Sequence, residues 1–295
     1  MRVADWKEYE LIDTSAGERL ERWGDVILIR PDPQIIWNTE KKDPRWKSAH
    51  ARYNRSNTGG GAWEERRAVP SVWKIHYGGK KGGVGRELTF RLKTMGFKHT
   101  GIFPEQAVNW DFAAEKIRRA DRPIKVLNLF GYTGAATLAC AAAGAQVCHV
   151  DASRGMVAWA RENAAASGLE DKPVRWLVDD CVKFVQREKR RGNTYHGIIM
   201  DPPSYGRGPN GEVWKLEEQL FGLVELCASV MDANPLFFIL NSYTTGLSPA
   251  VMEYLLGVQL KTRFGGRVSS GEIGLPVTAS GLVLPCGSTA IWQND

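Results

Sequence analysis

Val126-Leu127-Asn128-Leu129-Phe130-Gly131-Tyr132-Thr133-Gly134 is the most informative stretch of this chain of 295 residues. It begins with an apolar run of strand length, and its glycines open an alanine-rich, helical segment that reaches Ala143. A buried strand followed by a glycine turn and a helix is typical of a parallel α/β sheet. The glycines allow a tight turn and let a ligand approach the backbone at the helix N-terminus. The spacing is not GxGxxG, which disfavours a dinucleotide pyrophosphate site.

The alternation of strands and helices continues to the end of the chain. Further apolar runs predict strands at residues 146–150, 174–178, 197–200 and 236–240. Helices are predicted at residues 153–167, 181–190 and 249–260, before a glycine-rich hairpin that ends near Trp292. Ser153 is a typical N-cap residue, and Gly168 is a typical C-terminal stop. The predicted fold class is therefore α/β, with a doubly wound, mostly parallel, Rossmann-like sheet.

Residues 1–98 have a different pattern. Residues 9–13 and 26–30 are strand-like and are separated by turn signals. Pro31-Asp32-Pro33 ends the second of these strands, because proline cannot donate a hydrogen bond to a sheet. We therefore predict two domains, a small β-rich basic domain over residues 1–98 and the α/β domain over residues 99–295.

Positive charge is concentrated in the first of these domains. The formal net charge is +6, but the segment from Lys41 to Lys98 holds 15 lysines and arginines against four acidic residues. Tyrosines and tryptophans lie among these charges, which favours contact with nucleic acid over a merely solubilising surface. We predict that Lys80, Lys81 and Arg86 bind the phosphates of a nucleic acid.

The composition is that of a soluble protein. No signal peptide follows Met1, and no apolar stretch approaches the ~20 residues that a membrane-spanning helix needs. The five cysteines have no CxxC or Cys/His spacing, which argues against a disulfide framework and a structural zinc site. We expect a cytoplasmic protein without a metal ion or a membrane contact, and the sequence does not indicate its oligomeric state.

Acidic residues follow the second and third strands of the predicted sheet, at the edge where such folds bind ligands. Asp151 is placed to accept hydrogen bonds from the ribose hydroxyls of an adenosine-containing ligand, or to be a helix N-terminal acid. Asp179 and Asp180 are placed to accept from an adenine amino group while the Cys181 N–H donates to the ring. Capping of the next helix is the alternative role for these aspartates.

The fourth strand is followed by Asp201-Pro202-Pro203-Ser204-Tyr205, which is the sharpest motif of the chain. The two prolines fix φ and remove donors, so the carbonyl groups of Asp201 and Pro202 are free to accept hydrogen bonds. Tyr205 supplies an aromatic face near a reacting centre. A rigid turn at the end of a strand is the structural alternative.

Together these motifs resemble those of class I S-adenosylmethionine-dependent methyltransferases. They are most similar to bacterial large-subunit (23S) ribosomal RNA methyltransferases with an LNLFxYTG first motif and a DPP fourth motif. Residues 20–34 and 100–110 extend the resemblance, which covers most of the chain. It implies that the cofactor is S-adenosyl-L-methionine and that the partner is RNA, in particular large-subunit ribosomal RNA.

The resemblance also implies roles for individual residues. The Gly131 turn would hold the methionine part of the cofactor, Asp151 its ribose and Asp180 its adenine, while residues 100–106 would close over it. The implied cofactor-binding residues are Phe103, Gln106, Asn128, Phe130, Gly131, Tyr132, Thr133, Gly134, Asp151, Ala152, Asp180, Cys181 and Asp201.

The target atom depends on a residue that is missing. Relatives that methylate cytosine C5 have a nucleophilic cysteine after the fifth strand, but residues 240–245 contain none. We therefore expect methylation of a base nitrogen, with Asp201, Pro202 and Tyr205 as catalytic residues. The Asp201 side chain and the Pro202 carbonyl would accept from an amino group, and Tyr205 would stack on the base.

Two other functions stay open at this point. One is a methyltransferase for a protein or a small molecule, in which the basic segment is incidental. The other is a non-catalytic RNA-binding protein that retains the fold and binds the cofactor without transferring a methyl group. A nicotinamide-dependent oxidoreductase is disfavoured, because Asp201-Pro202-Pro203-Ser204-Tyr205 would have no role in it.

Overall fold

The computed structural model describes residues 2–56, 60–79, 83–207, 213–244 and 246–294. Its N-terminal part consists of short strands and one short helix, namely β1 (Tyr9–Ser15), β2 (Glu18–Trp23), β3 (Val26–Pro31), α1 (Arg45–Ser48), β4 (Ala51–Arg55), β5 (Gly61–Glu65), β6 (Trp73–Gly78) and β7 (Glu87–Leu92). Strands β1 to β5 form one sheet in that order, antiparallel except for the parallel pair of β3 and β4. Strands β6 and β7 form a separate antiparallel hairpin.

A buried ion pair lies inside the first of these sheets. The carboxylate of Glu21 is fully buried and accepts hydrogen bonds from Arg30 at 2.5 and 2.7 Å and from the Tyr9 hydroxyl at 2.8 Å. Burial alone would raise the pKa of Glu21, but the positive charges of Arg30 and Arg19 outweigh it and lower that pKa. A buried charge is tolerated when it is paired and hydrogen-bonded in this way.

The remainder of the chain alternates helices and strands. A 3-10 turn over Pro104–Gln106 leads into this part, and its elements are α2 (Ala107–Arg119), β8 (Lys125–Leu129), α3 (Ala135–Ala142), β9 (Gln146–Asp151), α4 (Arg154–Ala166), β10 (Val174–Val178), α5 (Cys181–Arg191), β11 (Gly197–Met200), β12 (Tyr205–Arg207), β13 (Val213–Lys215), α6 (Leu216–Ala228), β14 (Phe237–Ser242), α7 (Pro249–Leu256), α8 (Thr262–Phe264), β15 (Arg267–Pro276) and β16 (Val283–Gln293). Strands β12 and β13 form a small ribbon beside the main sheet.

The main sheet has seven strands in the order β10-β9-β8-β11-β14-β16-β15. The five strands from β10 to β14 are parallel, and β16 is antiparallel to both of its neighbours. The order reverses beside β8, which places a crevice at the carboxyl ends of β8 and β11.

Helices cover both faces of this sheet. One apolar core joins the sheet to α5, α6 and α7, and its largest side chains include Phe184, Leu220, Phe238 and Trp292. The core on the other face joins α2 and α3 to the sheet through smaller residues such as Ala113, Cys140 and Val147. The architecture confirms the predicted doubly wound, mostly parallel sheet with a β-rich N-terminal region.

The boundary between the two predicted domains is bridged by a shared core. Trp23 and Phe90 from the N-terminal part pack in one apolar cluster with Trp110 of α2 and Leu138 of α3. The β7 backbone also bonds to α4, since Arg91 N donates to Asn163 Oδ1 at 2.9 Å. The division at residues 98 and 99 stays a prediction.

The predicted elements of the α/β part agree with the structure within a few residues, with one local difference. The helix predicted over residues 249–260 ends as a regular α-helix at Leu256 and continues as a π-helical turn over Gly257–Lys261. Gly257 stands at the junction, where the low helix propensity of glycine weakens the regular α-helical pattern. Ser153 caps α4 as predicted, with its Oγ accepting from Met156 N.

Candidate active site

The functional side chains expected from the sequence meet at the carboxyl edge of the parallel strands. In the sheet register, Leu129 of β8 pairs with Val150 of β9 on one side and with Met200 of β11 on the other. The residues next in sequence to these three, Phe130, Asp151 and Asp201, therefore lie side by side.

The turn after β8 has an unusual backbone. Phe130 and Tyr132 adopt positive φ angles of 55° and 50°, which non-glycine residues rarely do, and Gly131 lies between them. A Cβ atom on Gly131 would lie 2.4 Å from the His149 ring, so only glycine fits there. Gly134, at φ 88°, then starts α3. Left-handed non-glycine residues cost on the order of 1–3 kcal/mol each and are concentrated at ligand sites.

Asp151 is held against this turn by two backbone hydrogen bonds. Its Oδ2 accepts from Tyr132 N and its Oδ1 accepts from Ser153 N, each at 2.8 Å. Burial raises the pKa of Asp151, and these two bonds counteract part of that effect. Each carboxylate oxygen has two acceptor sites, so Asp151 retains one on each oxygen. The arrangement fits a pair of ribose hydroxyls.

Aromatic rings pack against Tyr132 of this turn. The Phe103 ring lies 5.4 Å from the Tyr132 ring and 5.6 Å from the Tyr243 ring, measured between centroids. The Tyr132 hydroxyl is buried and has no hydrogen-bond partner among the described residues. Burial raises the pKa of Tyr132, so this hydroxyl stays protonated and can donate. A buried donor without a partner, beside a glycine turn that a ligand can approach, fits the polar cofactor expected from the sequence.

The segment of residues 100–106 is held by hydrogen bonds to three separate parts of the chain. Thr133 Oγ1 donates to the Gly101 carbonyl, and Trp6 Nε1 donates to the Pro104 carbonyl at 2.9 Å. Gln106 Nε2 donates to the Tyr243 hydroxyl at 2.8 Å. The segment thus joins the N-terminal part, the glycine turn and the end of β14, which is the geometry of a fixed wall of the site.

Asp201 directly follows β11 and is half-buried. Burial raises its pKa to about 7, and the charge of Glu105 contributes in the same direction. The Asp201 side chain makes no hydrogen bond within the described residues, in contrast to Asp151. An unpaired carboxyl group with a pKa near neutrality is typical of functional sites.

The rest of this motif lines the mouth of the site. Pro202 is buried, whereas the Tyr205 side chain is 53% exposed at the start of the β12–β13 ribbon. Ser204 Oγ accepts from Thr244 Oγ1 at 2.6 Å, which joins the ends of β11 and β14. Tyr205 therefore lies on the solvent side of the motif.

Several predicted site residues have structural contacts of their own. Asn128 donates to Thr137 Oγ1 at 2.8 Å in a buried network that continues to His149. Asp180 is exposed and caps α5 by accepting from Lys183 N at 2.8 Å. Arg86 donates to the Ser167 and Gly168 carbonyls at the end of α4, at 2.9 and 3.2 Å. Their predicted ligand contacts stay predictions.

The remaining predicted residues differ in their surroundings. Cys181 is buried, and its Sγ accepts from Phe130 N at 3.4 Å, so it supports the glycine turn from behind. Ala152 is exposed next to Asp151. Lys80 and Lys81 lie outside the described residues.

Two residues of the site were missed by the sequence analysis. Glu105 is 3% exposed, its Oε2 has no partner among the described atoms, and burial raises its pKa. Tyr243 is half-buried beside Gln106 and Phe103, and burial followed by the charge of Glu105 raises its pKa. The only signal for Glu105 was its position in the quoted stretch 100–110, since a lone acid beside a proline reads as a loop residue.

Within the described ranges, no three His, Cys, Asp or Glu side chains cluster as ligands of a metal ion. None of the described helices combines the length and the apolar composition that crossing a bilayer requires.

Comparison with known proteins gives three further findings. Residues 81–228 match the family described as S-adenosylmethionine-dependent methyltransferase. The crystal structure of a SAM-dependent methyltransferase from Agrobacterium tumefaciens is 36% identical, with a TM-score of 0.90 over 100% of this chain and 94% of that one. A Streptococcus mutans structure, described as a SAM-dependent methyltransferase, is 18% identical with a TM-score of 0.68 over 98% of this chain and 76% of that one, and it shows the fold alone.

Similarity to curated proteins is more limited in extent. The ribosomal RNA large subunit methyltransferase K/L of Shewanella frigidimarina is 31% identical over 143 residues. The match covers 46% of this chain and 19% of that relative. The chain therefore corresponds to a small part of the longer protein.

Proposed function

Because the chain belongs to the family of S-adenosylmethionine-dependent methyltransferases and uses that cofactor, we propose that it methylates a nitrogen atom of a ribosomal RNA base. The choice of a nitrogen atom rests on one contrast. The Asp201 carboxyl group has no hydrogen-bond partner within the described residues, whereas all five cysteine thiols are buried.

The RNA part of the proposal is supported by charge and by similarity. The Shewanella relative acts on large-subunit ribosomal RNA, as its name states. The excess of lysine and arginine between Lys41 and Lys98 supplies a counterpart for phosphates. We propose that residues 1–98 provide the RNA-binding domain and residues 99–295 the catalytic domain. A target base in a duplex would have to be flipped out to reach the site.

The cofactor-binding residues divide according to the parts of the ligand. When bound, S-adenosylmethionine supplies a methyl group on a positively charged sulfonium. We propose that the Gly131 turn holds its methionine part, that Asp151 accepts from the ribose hydroxyls and that Asp180 accepts from adenine. Phe103 and Tyr132 present ring faces beside the turn, and a cation next to such faces is stabilised by cation–π attraction.

A thiolate route to a ring carbon is disfavoured by the state of the cysteines. All five are buried, and burial raises every thiol pKa, for example to about 11 for Cys148 and about 12 for Cys140. Burial likewise raises the pKa of Cys181, which adjoins the site, and its sulfur is already engaged by Phe130 N. The thiolate that would attack a pyrimidine ring is therefore scarce at neutral pH.

A nitrogen target requires no covalent step on the protein. We propose that the Asp201 carboxylate and the Pro202 carbonyl accept hydrogen bonds from the nitrogen that is to be methylated, and that Tyr205 stacks on the base. These contacts fix the nitrogen lone pair in line with the methyl group, and alignment of this kind accounts for much of the rate of a displacement. After ionisation, the Asp201 Oδ atoms can also take the proton that the nitrogen releases.

The experiment compares Cys181→Ser with Asp201→Asn on ribosomal RNA and on the same RNA containing 5-fluorocytidine. We expect Cys181→Ser to keep substantial methylation, and Asp201→Asn to lose activity by about 10²-fold or more with cofactor binding unchanged. Calorimetry with S-adenosylmethionine is the control for folding. A covalent complex of the wild-type protein with the fluorinated RNA, lost in Cys181→Ser, would refute methylation at nitrogen.

A further inference from the structure

A row of aromatic rings connects the candidate active site to the surface. From the inside, Phe103 lies 5.1 Å from His99, and His99 lies 6.3 Å from Phe97. The Phe97 side chain is 48% exposed, so the row ends at an open ring. Burial, followed by the charge of Arg30, lowers the pKa of His99 to about 3, which keeps the middle ring neutral. The three side chains thus form an uncharged row of aromatic rings between the candidate site and the surface.

The loop that presents Phe97 is held in place from several sides. Lys93 N donates to the Thr100 carbonyl at 3.2 Å and closes the loop. Trp63 Nε1 donates to the Met95 carbonyl at 2.9 Å, and the Tyr53 hydroxyl donates to the Gly96 carbonyl at 3.3 Å. These bonds come from β4 and β5 of the basic N-terminal part. An exposed phenylalanine on a loop fixed in this way is preorganised for contact, because little entropy is lost when a partner binds.

Cationic residues adjoin the loop that presents Phe97. Lys98 follows Phe97 in sequence, and Arg30 donates to the Lys98 carbonyl at 3.1 Å. Burial and the positive charges of Arg19 and Arg30 lower the pKa of Lys98 to about 8, and Arg55 contributes in the same direction. Burial is the largest cause of this shift, and the three arginines, partly offset by Asp32, add positive charge around Lys98 that a bound anion would counter.

From this geometry we infer that Phe97 is a stacking platform for an RNA base that flanks the methylated one, with the phosphate of that nucleotide beside Lys98 and Arg55. A ring face next to cations is the arrangement by which proteins bind unpaired nucleotides. Phe97 is two ring contacts from Phe103, at the exposed end of the row. Its partner is therefore a neighbour of the target base. The inference rests on the proposed RNA substrate.

The test is equilibrium binding of a single-stranded RNA of mixed sequence that contains 2-aminopurine, followed by its fluorescence. Stacking on an aromatic side chain contributes about 1–3 kcal/mol per base, so Phe97→Ala should weaken binding by about tenfold or more. Phe97→Trp should retain the affinity, whereas Phe97→Leu, which keeps apolar bulk without a ring face, should lose it. Phe221 on α6 is a matched control, since it is 51% exposed, and Phe221→Ala should bind like the wild type.

The outcomes separate this inference from the proposed function. If the wild-type protein fails to bind the RNA even at low salt, both are refuted. If the wild type binds and Phe97→Leu binds equally well, the stacking inference is refuted and the RNA substrate is retained. Binding of S-adenosylmethionine by each variant serves as the control for folding, and Phe97→Trp and Phe97→Leu decide the question even where Phe97→Ala is unstable.

Discussion

At the scale of single residues, Asp151 and Asp201 show how position determines the chemistry of a carboxyl group. Both follow strands of the same sheet, but Asp151 accepts two backbone hydrogen bonds and Asp201 accepts none within the described residues. The first is arranged for binding, while the second has a pKa of about 7 and can change its protonation during a reaction.

This difference predicts a pH dependence. Because burial raises the pKa of Asp201 to about 7, its ionised fraction is lost as the pH falls through 7. If the carboxylate must be ionised to accept from the target nitrogen, kcat/KM for RNA should fall about tenfold per pH unit below 7. Steady-state kinetics between pH 5.5 and 8.5, about three pH units around that pKa, would measure this dependence. Cofactor affinity at each pH is the control.

The same shift has a consequence for stability with the opposite sign. A carboxyl group with a raised pKa binds its proton more tightly in the folded state, so its contribution to stability is lost as the pH rises through 7. The stability of Asp201→Asn relative to the wild type should therefore rise between about pH 4, the ordinary pKa of the unfolded carboxyl group, and pH 7, and the difference should be largest at pH 8. A flat kcat/KM profile together with equal unfolding temperatures at pH 8 would contradict the role given to Asp201.

The sequence predicted where the candidate site residues lie in the fold, because the carboxyl ends of parallel strands meet at one edge whatever the details of packing. Asp151 and the Gly131 turn were found by this rule. Glu105 was not, because its burial arises from contacts between the N-terminal sheet, the 3-10 turn and the end of β14, which are far apart in sequence. The capping role of Asp180 was recognised as an alternative, since a helix N-cap and a ligand site favour the same residue type.

At the scale of elements, the turn between β8 and α3 is the most constrained part of the fold. It contains two left-handed non-glycine residues, and the backbone of Gly131 lies against the buried ring of His149. That ring is held by a hydrogen bond with Thr137 at 2.9 Å, so it cannot easily move. The turn geometry is thus built into the core of the domain.

Gly131→Ala tests this constraint. The added Cβ would lie 2.4 Å from the His149 ring, and overpacking of this kind costs about 1–3 kcal/mol. We expect a lower unfolding temperature and cofactor binding that is weaker by at least about tenfold, as calorimetry would measure. Gly222→Ala in α6 is the matched control, because nothing lies within 4 Å of its added Cβ, and it should be neutral or slightly stabilising. Equal cofactor affinity of Gly131→Ala and the wild type would refute the role of the turn.

Elements of the α/β part were easier to predict than those of the N-terminal part. Strands such as β10 and β11 are bounded by clear turn signals, and both were predicted at their observed bounds. Strands β4 to β7 are only five or six residues long and partly exposed, and they were not predicted, although β6 and β7 alternate between buried and more exposed residues. Helix α2 was overlooked although its buried positions 107, 110, 114 and 117 have helical spacing.

At the scale of the whole molecule, the basic N-terminal part and the catalytic sheet share one apolar core. The sequence could not predict this continuity, because a change of pattern near residue 98 marks a change of secondary structure and not the end of a packing unit. Trp110 of α2 packs against Phe90 of β7, with ring centroids 5.6 Å apart. The proposed RNA-binding surface on one part is thereby held at a fixed position relative to the candidate site on the other.

Mass-spectrometric analysis of nucleosides, after the purified protein has reacted with S-adenosylmethionine and unmodified large-subunit ribosomal RNA, can confirm or refute the proposed reaction. We expect one nucleoside to gain a methyl group on a base nitrogen, and we expect Asp201→Asn to abolish the gain. Chromatography and fragmentation distinguish such products from 5-methylcytidine and from ribose-methylated nucleosides. Methyl transfer to cytosine C5, or to a protein or a small molecule but not to RNA, would contradict the proposed function.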